Sequence, residues 1–285
     1  MIKPLIAGII LMASLTSAYK AEEFFGTSES KPYLQFVKEI EARNFSAATE
    51  LESQEKLDLN HPVSLPDGFD YHRLDGLSAA EIKLGDALAP GSRNPKETST
   101  ILNYFIANRD IKSMKEILKM GADPAARSSW YLNSYIFACE YNRANELDLL
   151  LTAKPFSSLS NSDQKALLVR LPKIETVTHW FSDPDYVLDP SLLKVALKNH
   201  VNFDLPTDFG TLLTDSMNLN GYDVVIWLLE NNAARADQPD KSGKTVASIA
   251  ADWLKNPSKL EKKRRKKLEI IKDILHKKGF ELPSN

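Results

Sequence analysis

An all-α fold of stacked helix pairs, a solenoid with irregular insertions, is what this sequence predicts, on three observations. Apolar trios spaced i, i+3, i+4 recur: Met114/Ile117/Leu118, Leu147/Leu150/Leu151, Val177/Trp180/Phe181, Val225/Leu228/Leu229 and Ile271/Ile274/Leu275. That spacing puts each trio on one face of a helix. The trios are themselves periodic. Leu118 to Leu151 is 33 residues and Leu151 to Phe181 is 30, while the next two intervals, 48 and 46, each hold about one period plus an insertion. The third observation is a stop signal: Gly121 follows Lys119-Met120 where a helix should end, and Pro124 prevents it from resuming.

Taken in order, Met1 to Ala18 has the plan of a secretory signal peptide: Lys3, an apolar run from Pro4 to Leu15, then Thr16-Ser17-Ala18 with small residues before a cut. Residues 19–32 are expected to be a flexible mature N-terminus. Phe36 to Ile40, on through Leu51 to Asp58-Leu59-Asn60, looks like a degenerate first repeat. Val63 to Pro95 is rich in Pro, Gly and Asp and holds one helix, Ser78 to Ala89, started by a Ser78/Glu81 capping box. Asn133 to Tyr141 is the next helix, Pro155 to Ser162 a polar loop, and Ser191 to Asn199 a helix begun after Pro190. A basic capping helix spans about 258–278. One elongated body is expected over 33–282, because each repeat buries its apolar face only by stacking on a neighbour.

The chain resembles the ankyrin-repeat family at several of these places. Gly121-Ala122-Asp123-Pro124 matches the family's Gly-Ala-Asp turn, and Thr100-Ile101-Leu102-Asn103 stands where the family has Thr-Pro-Leu-His. Thr211-Leu212-Leu213-Thr214 is a second weak copy, and Gly243-Lys244-Thr245 with Ala250-Ala251 is the best match to the family's first helix. The resemblance implies a helix-pair solenoid of ankyrin type that works as a binding scaffold. The missing Pro and His are expected to weaken the helix starts and their usual hydrogen bonds.

Composition narrows the function classes. Of 285 residues, 43% are hydrophobic, which excludes a wholly disordered chain, and 36 Lys+Arg balance 38 Asp+Glu, which gives no global pull toward nucleic acid. The one cysteine, Cys139, excludes an intrachain disulfide; it sits at an alanine-like helix position and reads as a small buried residue. No two of the five histidines are spaced to share a helix face as metal ligands, and His179, beside Trp180, reads as a core histidine. No nucleophile elbow, phosphate loop or dinucleotide fingerprint occurs. No catalytic residue, metal or cofactor is expected. An unrecognised hydrolase would need a pocket with convergent polar groups.

Two surfaces are candidates for contact. From Trp253 to Asn285 there are eleven Lys+Arg against four Asp+Glu, and the densest run is Lys262-Lys263-Arg264-Arg265-Lys266-Lys267. It reads either as the solvated face of a terminal cap or as a surface for anionic lipid headgroups or an acidic partner. The second surface is aromatic. By alignment to the family, Trp130, Tyr131 and Phe209 fall at loop tips and Tyr104 and Tyr141 on inner-helix positions, with Arg127 and Arg143 at the rim. Trp and Tyr are over-represented among binding hot spots. The plain alternative is that these aromatics fold back to fill gaps between irregular repeats. For Phe209 that is the stronger expectation.

The signal, the solenoid and the acidic body, which has 25 Lys+Arg against 34 Asp+Glu ahead of Trp253, are similar to small exported ankyrin proteins of Gram-negative bacteria. Some of these act as immunity proteins that occlude toxic effectors, including phospholipase effectors of type VI secretion. The resemblance thus implies a periplasmic protein partner, with an envelope scaffold on anionic membrane as the second reading and a cytosolic pool if synthesis starts downstream of the signal.

Overall fold

A computed structural model describes residues 19–27, 30–65, 98–128, 133–172, 188–255 and 261–282. The signal segment, the expected helix at 78–89, Trp130, Tyr131, His179 and the Val177/Trp180/Phe181 trio lie outside the described residues. The described chain is all-α apart from one two-residue ladder. Its helices are α1 (Ala21–Phe24), α2 (Lys31–Glu41), α3 (Phe45–Glu55), α4 (Ile101–Ala107), α5 (Ile111–Lys119), α6 (Ser134–Glu140) and α7 (Ala144–Ala153). They continue with α8 (Asn161–Arg170), α9 (Ser191–Lys198), α10 (Leu212–Asn218), α11 (Tyr222–Glu230), α12 (Val246–Leu254) and α13 (Lys262–Lys277). Where one elongated body is expected, the contacts give two compact units, Met1–Glu146 and Leu147–Asn285, divided inside α7.

Four helix pairs are closed by the same backbone device. Between paired helices one residue turns left-handed: Arg43 (φ 62°), Arg109 (φ 55°), Asn142 (φ 51°) and Asn220 (φ 65°). The next N–H then reaches a carbonyl five residues back, from Asn44 to Glu39, Asp110 to Phe105, Arg143 to Ala138 and Gly221 to Ser216, at 2.7–2.9 Å. The second helix of the pair ends the same way after Lys56, Gly121, His200, Asn232 and Gly279. This 6→1 closure satisfies a carbonyl that the helix end would otherwise orphan.

The helix starts depart from the expectation of weakness. Thr100, Asn133, Ser160, Thr211 and Thr245 each adopt extended backbone and accept a hydrogen bond from the N–H three residues on. Side-chain caps therefore supply what the missing prolines do not. Asn103 accepts from the Ser134 hydroxyl at 2.8 Å and so ties α4 to α6. Asn133→Ala removes one cap, whose oxygen accepts from Ile136 N at 3.1 Å. It should cost about 1 kcal/mol in denaturant unfolding; an unchanged midpoint would show that this cap is idle.

In the first unit, α1 packs on α2, α2 on α3, and α4 on both α5 and α6. The core includes Phe36, Ile40, Phe105, Ile106, Met114, Ile117 and Phe137, all essentially sealed. Residues 19–27 are not a flexible leader, which corrects that expectation. Tyr19 is buried and Phe24 and Phe25 are fully buried, all at the N-terminal end of the stack. Val63–Ser64 pairs antiparallel with Thr98–Ser99, so these two short segments lie side by side. Asn60 Oδ1 then accepts from Asp123 N at 2.6 Å, joining the first loop to the Gly121–Pro124 turn.

In the second unit, α10 packs on α11 and α12, and α13 on α11 and α12. Leu268, Ile271 and Leu275 are the sealed face of α13, with Ile274 half-buried. A loop tie like that of the first unit recurs, with Asp204 Oδ1 accepting from Arg235 N at 2.7 Å. Helix α8 begins inside the stretch read as a polar loop, Pro155 to Ser162, and runs on to Arg170, where the sequence reading assigned no element. Ser160 caps it, and Leu167 and Leu168 bury its inner side.

Candidate functional site

The second unit holds a cavity of about 590 Å³ between α8 and α10, lined in part by Lys165, Ala166, Val169 and Arg170 from the first and Leu212, Asp215 and Leu219 from the second. Those positions repeat at three- and four-residue intervals, so each helix presents one face to the space. The third wall is the tip Thr207-Asp208-Phe209, just ahead of α10.

That tip is built rigidly. Thr207 N donates to Gly210 O at 2.9 Å, and Gly210 N donates back to Thr207 Oγ1 at 3.0 Å. Lys241 N, from the loop before α12, donates to Phe209 O at 3.1 Å. Gly210 lies against Asp240 so closely that a Cβ there would come 2.8 Å from Asp240 Cβ. On this fixed backbone the Phe209 side chain projects, 78% exposed. Phe209 therefore does not fold back, which corrects the stronger expectation for it. An exposed aromatic on pre-set backbone can bind without a further ordering cost in the main chain.

Below the tip sits Asp215, 9% exposed. Thr207 Oγ1 donates to its Oδ2 at 2.5 Å, and its Oδ1 is buried with no hydrogen-bond partner. Burial pushes this carboxyl above the ordinary carboxylate range; the Thr207 hydroxyl pulls the other way, and Asp240 and Asp208 add to the rise. Sequence alone does not single out Asp215, because an acid in a short helix reads as solvent-facing. It also does not single out Lys165, Val169 or Arg170, although Ser160 with Asp163 three residues on is a legible helix start.

The other candidates are scattered. Tyr104, expected to face a partner, is fully buried in the first unit: residues 19–25 cover it. Its ring meets those of Phe24, Phe25 and Phe105 edge-on at 5.1–5.3 Å. Its hydroxyl lies 2.5 Å from Glu41 Oε1 and 3.1 Å from the Tyr19 carbonyl, and burial with the nearby Glu41 raises the phenol well above its usual range. Arg143 is also buried, against the expectation of a rim residue. Tyr141 is half-buried beside Phe137, and Arg127 is exposed. Cys139 is fully buried. On α13, Lys262, Lys263, Arg265 and Lys266 are exposed, while Lys267 pairs with Asp223 at 2.7 Å and Arg264 sits 3.6 Å from Glu261.

Among the described residues no group of three His, Cys, Asp or Glu could hold a metal, and no helix is long and apolar enough to cross a membrane. The cavity offers an aromatic lip, an aliphatic floor and both acidic and basic lining residues. That set recognises a shape and a charge pattern. Comparison with known families finds no family model that matches, and no curated protein matches. Among solved structures, the chain is similar to the crystal structure of EF0377, an ankyrin repeat protein, at 18% identity and a TM-score of 0.46, over 85% of this chain and 96% of that one. The repeated pair closures and caps make the described chain an all-α stack of helix pairs.

Proposed function

We propose that the chain is a non-enzymatic protein-binding module whose partner docks on the α8–α10 cavity of the second unit. The observation that carries this reading is Phe209: a large aromatic, 78% exposed, held on a braced backbone at the edge of a cavity. Exposed apolar groups gathered at a concave site mark interaction surfaces more often than scattered single ones do. In its concrete form, the protein is exported to the bacterial periplasm and acts as an immunity protein, covering the active site of a toxic, phospholipase-type effector. The secretory plan of residues 1–18 and the resemblance to exported ankyrin proteins support that form.

The test uses the full-length mature chain and the effector encoded beside it. Isothermal titration should show tight binding that Phe209→Ala weakens by about 2 kcal/mol or more, the cost of a hot-spot residue. Deleting the gene should sensitise cells to the effector. No binding, or full protection without the gene, would remove the reading.

A second reading, an envelope scaffold, is favoured by the exposed lysines and arginine of α13. It is distinguished by sedimentation with anionic vesicles. Salt-sensitive binding that is lost when Lys262, Lys263, Arg265 and Lys266 are neutralised supports it; the immunity reading needs none.

A further inference from the structure

We propose that the α8–α10 cavity receives a basic side chain, arginine before lysine, projected by a protein partner, with Asp215 and Asp208 taking its charge and Phe209 covering its stem. This rests on the docking reading above and names what the partner brings to the site.

Three features of the cavity carry the assignment. First, Asp215 is a carboxylate in the wrong place for a protein standing alone. It is 9% exposed, only its Oδ2 is satisfied, and its Oδ1 has no partner. A buried acid without a counter-charge is costly, and the usual resolution is a cation or a donor brought close to it. Among the described residues no lysine or arginine forms an ion pair with Asp215 or with the exposed Asp208 beside it. Lys241 acts on Asp215 through space without forming an ion pair, so a cation within hydrogen-bond range would have to come from outside.

Second, the surface leading to Asp215 suits a long, thin chain with a charged end. Val169, Leu212 and Leu219 offer aliphatic contact, and Phe209 offers an aromatic face. Arginine and lysine lay their methylene stems along such surfaces and keep the head group for a polar end. Guanidinium also stacks on aromatic rings and gives planar, two-pronged hydrogen bonds to carboxylates, which is why arginine comes first.

Third, the charges are divided across the cavity. Lys165 and Arg170 line the cavity from α8, Asp215 from α10 and Asp208 from the tip. An incoming cation is repelled from α8 and attracted to the tip and α10, so the walls fix its direction. An acidic residue flanking it in the partner would meet Lys165. Phe209 extends beyond the space that the head group occupies, and that surface is useful to a protein surround rather than to a free amine.

The test is a nuclear magnetic resonance titration of the isotope-labelled mature chain with two small probes, N-acetyl-arginine methylamide and its uncharged isostere N-acetyl-citrulline methylamide. The arginine probe should saturably shift the amides of Phe209, Gly210 and Leu212, with at least fivefold preference over citrulline. Asp215→Asn and Asp208→Asn together should abolish that preference. The asparagine at 215 keeps an acceptor for Thr207, and unchanged Gly210 shifts in the variant would confirm that the tip is intact. Equal binding of the two probes, saturable shifts confined to other surfaces, or no saturable shift at all would overturn the proposal. If Phe209→Ala abolishes effector binding while the two asparagine substitutions leave it untouched, the charge assignment fails and the docking reading stands. If neither change affects effector binding, both fail.

Discussion

Tyr104→Ala should destabilise the first unit by about 3–5 kcal/mol, the range for deleting a large aromatic from a packed core. The ring is wholly buried and touches three other aromatic rings edge-on, so its removal leaves a void that rigid neighbours cannot collapse into. The hydroxyl adds a separate term. It offers one proton between two acceptors, Glu41 Oε1 and the Tyr19 carbonyl, and both lose it. Tyr104→Phe isolates that term and should cost about 1–2 kcal/mol. Guanidinium unfolding gives the magnitudes, and hydrogen exchange gives the location: amides of α2, α4 and α6 should lose protection while those of α10 to α13 keep theirs. A loss under 1 kcal/mol for the alanine variant would mean that residues 19–25 do not bear on the ring as described.

Gly210→Ala should damage stability and binding together. The added Cβ would strike Thr214 Oγ1 and lie 2.8 Å from Asp240 Cβ and 3.1 Å from Asp240 Cα. Thr214 cannot turn away freely, because its hydroxyl completes the reciprocal cap with Thr211 at the start of α10. Asp240 cannot retreat freely either, because its carboxylate caps the backbone of Ser242 and Lys244. Overpacking of this kind costs about 1–3 kcal/mol. The relief available is for the tip to move outward, which carries Phe209 away from the cavity. Thermal melting should fall, and affinity for the partner should fall as far as with Phe209→Ala. A variant that melts and binds like the parent would show that the tip is not clamped.

The helix pairs were legible in the sequence because their signal is local. Apolar trios containing positions such as Ile117 and Leu228 report a buried helix face within a window of a few residues. Tyr104 shows the limit of that method. What covers it is residues 19–25, as far as 85 positions back along the chain. No periodicity reports such a contact. Phe209 was legible as a loop-tip aromatic, and its direction was not: whether a side chain fills a gap or projects depends on how the 241 loop grips the backbone. Asp215 was invisible because its side-chain partner, Thr207, precedes the helix and no helical spacing reports it. Helix α8 was missed for another reason. Its buried residues, Leu167 and Leu168, are adjacent and make no i, i+3, i+4 trio, so only the Ser160 cap announces it.

Arg43 carries a consequence for how the first pair meets the next. Glycine would suit its left-handed backbone at φ 62° best. Yet its guanidinium reaches Ser113 Oγ at 2.5 Å and Asp110 Oδ1 at 3.1 Å, at the start of α5. Burial would raise the Asp110 carboxyl, and the hydrogen bonds from Ser113 and Arg43 outweigh it and hold that carboxyl low. One residue thus serves as bend and as rivet, and neither task can be perfected without giving up the other. Acid that protonates Asp110 would loosen the rivet while leaving the bend in place, so the joint between neighbouring modules should slacken before the modules themselves melt.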